Sequence, residues 1–225
     1  MLLLNAILVV VLSISGVFLA ALSAFVDGAW HRRHMVREDR APKVTPAEHR
    51  RSQVWNSIAS TGLVFAVTNL ARPHLFVDGP RPAWRIAAEI VAVLLAYDLG
   101  YYLLHRFAFH KWSVGSRIHA VHHRIRTPYA RDSLYIHPVE TLAGVGLLLA
   151  CTWLVGPIGV WSFGGVFLVY SLLNIFIHSA FHLPFFPFRW LSALPAHHDA
   201  HHRSMKGGYY ASITPIWDVV FGTAR

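Results

Sequence analysis

Long apolar stretches separated by polar segments dominate the pattern along the chain. Leu2–Phe25 is apolar apart from Asn5 and three serines. At about 1.5 Å per residue, this stretch can cross a hydrocarbon core of about 30 Å. It lacks the basic n-region of a cleavable signal, so we expect it to be a retained span. Val54–Ala71 predicts a weaker second span, because several polar residues interrupt it.

Two further apolar stretches follow a short connection, Arg72–Pro82, that is rich in turn residues. Ala83–Leu104 predicts a span with Glu89 and Asp98 inside it. Thr141–Ile177 has no charged residue across 37 positions, too many for one membrane helix. Gly156-Pro157 near its middle is a break signal, which favours a helical hairpin of two short spans. The fold class we predict is an all-α integral membrane protein with about four to five transmembrane helices.

Composition supports a membrane protein. The 225 residues are 55% hydrophobic and only 14% charged, whereas soluble domains average about 25% charged residues. These values exclude a disordered chain, a collagen-like fibre and a coiled coil. The single cysteine, Cys151, excludes a disulfide framework and a cysteine-based zinc site.

The net charge of +9 follows from the distribution of lysine and arginine. Of these 20 residues, 17 lie in the segments 27–53, 105–138 and 183–225. The positive-inside rule places all three segments on the cytoplasmic side, with the N-terminus outside. The charge is thereby explained without nucleic acid, which we do not expect as a partner.

Sixteen histidines outnumber the eleven acidic residues, and ten of them form four clusters at the ends of predicted spans. The clusters are His105 and His110; His119, His122 and His123; His178 and His182; and His198, His201 and His202. Helix positions i, i+3 and i+4 share a face, so the last three clusters should each converge on one point. His105 and His110 would lie about 140° apart on an α-helix, and so would straddle its end or serve different metals. We interpret the lone His31, His34, His49 and His74 as polar anchors.

Ten imidazoles are too many for one metal ion, and imidazole suits iron, zinc, copper and nickel. Two ions at four or five nitrogens each would use them all. Few carboxylates lie nearby, chiefly Asp199 and Glu140, which favours non-haem iron that handles O2 over a hydrolytic metal pair. Asp98 and Asp199 are candidates either for accepting a ligand histidine's N–H or for a salt bridge. Asn174 is a candidate for holding a metal-bound water or for bonding a neighbouring helix.

The order HxxxxH, HxxHH, HxxxH, HxxHH resembles the fatty acid hydroxylase/sterol desaturase superfamily of membrane di-metal oxygenases. Asp98-x6-His105-Arg106 is similar to the first box of that family, and His137-Pro138-x-Glu140 to its HPxE segment. The closing Trp217-Asp218-x-x-Phe221-Gly222-Thr223 resembles its C-terminal signature. The similarity covers about 98–223. Within the superfamily, the layout is most similar to fatty acid 2-hydroxylases, because Ser179-Ala180 replaces the HSG box of the sterol oxidases.

The resemblance implies that all ten clustered histidines are metal ligands in a cytosolic cap. It implies two iron ions (zinc being possible in purified protein), O2 as co-substrate, and hydroxylation or desaturation of a bilayer lipid. Electrons would come from a separate donor of ferredoxin or cytochrome b5 type with its reductase. We therefore expect an N-terminal transmembrane region, 1–82, and a hydroxylase-like catalytic domain, 83–225. A metal transporter and a b-type cytochrome remain alternatives, although both would place ligands deep inside spans.

Overall fold

The computed structural model describes residues 1–25, 28–36, 43–182, 191–205 and 207–224. The predicted loop 27–53 and tail 183–225 therefore lie partly outside the described residues. The helices are α1 (Leu2–Phe25), α2 (Ala29–Arg33), α3 (Pro46–Leu70), α4 (Arg72–Leu75), α5 (Ala83–Leu103), α6 (Ser113–His119), α7 (Pro138–Val155), α8 (Val160–Ile177), α9 (Ala193–His201) and α10 (Ile216–Val220). Two short strands, β1 (Phe76–Val77) and β2 (Ile158–Gly159), pair in parallel.

Within the described part of the chain, four helices are long and apolar enough to cross a membrane. They are Leu2–Phe25, Ala83–Phe109, Pro138–Val155 and Val160–Ile177. The prediction of an all-α, multi-pass membrane protein is confirmed. The predicted division of this stretch into two short spans is also confirmed: α7 ends at Val155 and α8 begins at Val160, and Gly156 between them takes the φ of +104° that favours glycine.

Helix α3 covers the predicted weaker span but is not among these four helices. Its polar residues explain why. Asn56 is fully buried and donates to the carbonyls of Leu134 and Ile136 at 3.2 and 2.8 Å. Thr141 in turn donates to the Asn56 side-chain oxygen at 2.6 Å. The polar positions of α3 thus bind the loop that precedes α7.

Helix α5 packs on both α7 and α8, while α1 packs on α8 and α3 packs on α7. The shared core includes the fully buried Leu8, Val93, Leu148 and Phe163, one from each apolar helix. The flanking helices α1 and α3 meet where Asn69 of α3 donates to the Asn5 side-chain oxygen at 2.9 Å. This contact lies at the end of the bundle remote from the clustered histidines.

The segment after α1 is joined to the segment after α8. Met35 and Phe181 form an antiparallel bridge, and the Val36 N–H donates to the Ala180 carbonyl at 2.9 Å. His31 is only 1% exposed, and its Nε2 lies 3.2 Å from the Ser179 carbonyl oxygen. His31 is therefore a buried packing residue and not the polar anchor that the sequence suggested.

Candidate metal centre

A π-helical turn, Leu104–Phe109, continues α5 and places the first two clustered histidines, His105 and His110, on the same side of the helix. The His110 N–H donates to the His105 carbonyl at 3.1 Å. Bonding from i to i+5 stacks these residues one above the other, and their ring centroids are 5.0 Å apart. The expected divergence of about 140° applies only to an α-helix. Both imidazoles therefore face the same point.

Eight of the ten predicted ligands form two compact groups. In each group the candidate ligand nitrogens all lie within 4.8 Å of one another. The first group is His105, His110, His119 and His201; the second group is His122, His178, His198 and His202. His123 adjoins the first group, with its Nε2 at 3.1 Å from that of His119 and 3.0 Å from that of His201.

Each HxxHH motif supplies both groups. His201 is in the first group and His202 is in the second, because successive residues on a helix point about 100° apart. Helix α6 ends at His119, and a 3-10 turn, His122–Arg124, carries His122 into the second group. The expectation that each motif converges on one point is therefore wrong.

The Nδ1 atoms of seven grouped histidines are held by oxygen acceptors. Six face backbone carbonyls: His105 with Tyr210, His110 with Met205, His122 with Tyr135, His178 with Asn174, His201 with Gly208, and His202 with Ile125. The seventh, His119, faces the Glu140 carboxylate at 2.8 Å. A carbonyl can only accept, so Nδ1 carries the proton and Nε2 presents a lone pair.

These lone pairs point at one another. Nε2 atoms of neighbouring rings lie 3.0 Å apart for His105 and His119 and 3.0 Å apart for His122 and His202. Burial lowers the pKa of His178 to about 3 and the pKa of His201 well below its usual range, so both rings are neutral. The buried His178 Nε2 has no hydrogen-bond partner. Only a cation at the centre of each group would satisfy such facing acceptors.

The spacing fits a first-row transition metal. Metal–nitrogen bonds of about 2.0–2.1 Å place neighbouring ligand nitrogens about 2.8–3.4 Å apart in octahedral or tetrahedral coordination. Three pairs of Nε2 atoms in the first group, His105 with His119, His110 with His201 and His119 with His201, are 3.0 to 3.4 Å apart. With His123 included, the first group offers five nitrogens and the second offers four. The donor set is entirely imidazole, which suits iron or zinc.

A cavity of about 300 Å³ extends from this centre between the helices. His105, His122, His178 and His198 line one end. Residues of α1, α3, α5, α7 and α8 line most of the remainder, including Leu12, Tyr97, Val145 and Phe167. The second metal group thus faces a space bounded by apolar helices.

Comparison with known proteins agrees with this geometry. A family model described as "Fatty acid hydroxylase" matches residues 90–223. The chain belongs to the fatty acid hydroxylase family. The matched region contains every residue of both histidine groups.

Curated relatives share about a third of the aligned residues. Methylsterol monooxygenase 1 of Rattus norvegicus is 31% identical over 150 residues, covering 63% of this chain and 48% of the relative. A very-long-chain aldehyde decarbonylase of Oryza sativa is 32% identical over 146 residues, covering 61% and 54%. Sphingolipid C4-hydroxylase of Saccharomyces cerevisiae is 30% identical over 146 residues, covering 61% and 40%. The chain spans about half the length of these relatives, and no solved structure matches it.

Different contacts are made by the three residues that the sequence suggested as supports for the metal ligands, Asp98, Asp199 and Asn174. Asp98 accepts from the Ile213 N–H at 2.8 Å and from the Thr214 hydroxyl at 2.6 Å, so it binds backbone and not a ligand histidine. Asp199 is buried with its Oδ2 4.0 Å from an Arg203 guanidinium nitrogen. Asn174 lines the cavity, and its carbonyl accepts the His178 Nδ1–H at 2.6 Å.

His182 lies outside both groups. Its side chain is exposed, and its backbone N–H donates to the His34 carbonyl at 2.7 Å. Its role as a metal ligand stays a prediction from the family resemblance.

Sequence reasoning did not assign roles to Glu140 and Asp218, although both belong to recognised motifs. Glu140 sits in the first turn of α7, where it accepts from His119. Asp218 accepts from the N–H groups of Tyr210 and Ala211 at 2.8 and 2.9 Å. It thereby fixes Tyr210, whose carbonyl accepts from His105. The motifs that contain Glu140 and Asp218 could have indicated these two residues. The backbone carbonyls that accept from the histidines could not be found in this way, because any residue type can supply a carbonyl.

Ala180, which departs from the sterol-oxidase HSG box, takes a φ of +54°. This left-handed region is the one that favours glycine. The backbone at this position therefore has the conformation that a glycine adopts readily.

We expect the parent protein to hold two metal ions and His202→Ala to hold about one. The substitution removes a nitrogen from the second group and leaves the first group intact. Metal per chain, measured by plasma mass spectrometry on purified protein, checks this. His74→Ala, remote from both groups, is the control and should retain two ions.

His182→Ala belongs in the same measurement. Because its side chain is exposed and outside both groups, we expect this variant to retain two ions. A loss equal to that of His202→Ala would show instead that His182 ligates metal.

Asp218→Ala should weaken metal retention by the first group about 10- to 100-fold, the usual effect of removing the support of a ligand. Chelator competition measures the affinity. Asp78→Ala provides the control, since Asp78 is 74% exposed and pairs with Arg72. Equal retention by the two variants would contradict the supporting role.

Ala180→Gly should stabilise the protein by about 1 kcal/mol, because glycine removes the steric cost of a left-handed φ. The thermal unfolding midpoint in detergent should therefore rise, with metal content unchanged. Ala150→Gly, in the middle of α7, is the matched control and should lower the midpoint. A lower midpoint for Ala180→Gly would refute the interpretation.

Proposed function

We propose that the protein is an O2-dependent membrane lipid hydroxylase with a histidine-coordinated di-iron centre. One observation carries the proposal. Two groups of neutral imidazoles turn their Nε2 lone pairs inward, next to a cavity lined mainly by apolar side chains of the membrane helices. When bound, a pair of iron ions supplies O2 activation and oxidising power for C–H hydroxylation. The activities for which two relatives are named, sterol monooxygenation and sphingolipid hydroxylation, support the same reaction class.

The described residues perform three tasks in this reaction. The Nδ1–H bonds to carbonyls keep each ring in the tautomer that binds metal. The apolar walls, with Leu12, Val145 and Phe167 among them, hold a hydrocarbon and exclude water from the reacting carbon. Glu140 accepts a hydrogen bond from His119 and so keeps the Nε2 of that ring directed at the first metal site.

The overall reaction needs an electron source. Hydroxylation places one oxygen atom of O2 in the lipid and the other in water, and so consumes two electrons and two protons. We propose an external donor of ferredoxin or cytochrome b5 type with its reductase. We also propose that the histidine groups face the cytoplasm, as the distribution of 17 of 20 lysines and arginines supports.

Desaturation of a lipid is the alternative within the superfamily, and a metal ion transporter is the alternative of another class. The transporter is disfavoured because the imidazoles gather at the ends of α5 and α8 and not along a path through the spans. The division of the chain at 82 and 83 stays a prediction.

Product analysis tests the proposal. The protein is expressed in an iron-supplemented, lipid-producing host together with a ferredoxin or cytochrome b5 system, and total lipids are compared by mass spectrometry. Hydroxylation adds one oxygen to a lipid, whereas desaturation removes two hydrogens. Unchanged lipids from metal-loaded protein with a working reductant would refute both reactions.

Gly144→Leu should reduce product at least tenfold by filling the cavity. A Cβ at Gly144 would lie 3.9 Å from both the Tyr101 ring and the Tyr170 hydroxyl, so the protein has room for it. Gly146→Leu is the matched control on the same helix, since Gly146 does not line the cavity and faces open space. Equal loss in both variants would show that the cavity is not the substrate site.

A further inference from the structure

One side of α3 binds a single segment of the chain, residues 131–136. Four polar residues of α3 lie at positions i, i+3, i+4 and i+7, which share one side of a helix: His49, Ser52, Gln53 and Asn56. All four side chains form hydrogen bonds to residues of this segment. Asn56 alone among the four is buried, with 0% of its surface exposed. The segment ends shortly before α7 begins at Pro138.

The Asn56 amide holds the backbone on both sides of Tyr135. Its Nδ2 donates to the Leu134 carbonyl at 3.2 Å and to the Ile136 carbonyl at 2.8 Å. The carbonyl between these two, that of Tyr135, accepts the His122 Nδ1–H at 3.1 Å. Asn56 therefore fixes the position of the acceptor that orients one ligand of the second metal group.

The Asn56 side-chain oxygen is bound as well. Thr141, in the first turn of α7, donates to the Oδ1 of Asn56 at 2.6 Å. This bond determines which end of the amide faces the two carbonyls, because the oxygen already has a donor. An amide can donate twice and accept at the same time, whereas an ionised carboxylate of the same shape can only accept. The three bonds therefore match asparagine and not aspartate.

The position of Asn56 in the chain separates it from the grouped histidines. The family model matches residues 90–223, so the whole of α3 lies outside it. Leu134, Ile136 and Thr141 line the cavity, but Asn56 does not. Asn56 thus binds the residues of the cavity wall from behind, and it acts on the metal centre through the Tyr135 carbonyl.

We propose that Asn56 is a positioning residue for the second metal group, because it holds the Tyr135 carbonyl that fixes the tautomer and orientation of His122. The inference rests on the proposed function in treating the two histidine groups as metal sites. It extends the support of the centre beyond the region that the family model matches, into the N-terminal helices. It also gives a reason for the polar side of α3.

Metal retention tests this without lipid, O2 or a reductant. Asn56→Asp keeps the shape of the side chain and the acceptor for Thr141 but loses both N–H donors. Because the acceptor of the His122 ring is no longer held, the second group should retain its ion about tenfold more weakly, the lower end of the usual effect of removing the support of a ligand. Chelator competition on purified, iron-loaded protein in detergent, with metal per chain from plasma mass spectrometry, measures this.

Asn69→Asp is the matched control on the same helix. The Asn69 Nδ2 also donates twice, to the Asn5 side-chain oxygen at 2.9 Å and to the Phe65 carbonyl at 2.8 Å, at the end of the bundle remote from the histidines. Both variants should lower the thermal unfolding midpoint, but Asn69→Asp should retain both ions as the parent does. The visible absorption of cobalt-loaded protein, which reports ligand geometry, should change in Asn56→Asp alone.

Two further variants assign the effect to the second group. His202→Ala is expected to lack the second ion, so adding Asn56→Asp to it should leave retention of the remaining ion unchanged. Ser52→Ala is a milder change at a half-buried residue. Since the Ser52 Oγ donates to the same Ile136 carbonyl at 3.2 Å, this variant should weaken retention by the second group about two- to threefold, and it decides the question if Asn56→Asp does not fold.

Three outcomes would overturn the inference. The first is equal metal retention by Asn56→Asp and Asn69→Asp. The second is a further loss of metal when Asn56→Asp is added to His202→Ala, which would indicate a general effect on the fold. The third is unchanged retention in Ser52→Ala where Asn56→Asp does not fold. None of them affects the lipid product assay of the parent, so failure of this inference and failure of the proposed hydroxylase function are separable.

Discussion

The hydrogen bond between a histidine Nδ1–H and a backbone carbonyl is the interaction on which the centre depends. Six imidazoles make this bond, and His119 makes the equivalent bond to the Glu140 carboxylate. In each case the bond fixes the tautomer of the ring and directs its Nε2 inward. The acceptors come from segments far apart in sequence, such as Ile125 and Tyr210. The fold must therefore be complete before the ligands are oriented. The centre is a property of the tertiary structure as much as of the four histidine clusters.

Two buried carboxylates extend this support beyond the ligands. Asp98, inside α5, holds the backbone at Ile213, while Asp218 holds it at Tyr210. Both carboxylates thus hold the segment 210–213 against α5, where the Tyr210 carbonyl accepts a hydrogen bond from His105. A charged group inside a membrane span is costly. Here the cost at Asp98 is offset by backbone donors that would otherwise be unpaired.

The membrane spans and the gathering of the clustered histidines could be predicted from the sequence because each depends on local features. An apolar run of sufficient length must bury its backbone as a helix in lipid, and clustered imidazoles at helical spacing indicate metal. The π-helical turn at His105–His110 could not be predicted, since it depends on how the end of α5 packs. The division of each HxxHH motif between two groups was missed for the same reason. That division follows from where α6 ends and how α9 is oriented.

The adjacent residues His201 and His202 have a geometric consequence for the whole centre. They lie at the C-terminal end of α9 and face different groups, so a single peptide unit joins one group to the other. A loop could stretch to suit metals of different radius, but a helical turn has a fixed rise and rotation. The relative placement of one ligand from each group is therefore built into α9, and the two groups cannot be drawn apart at this point without unwinding the end of the helix.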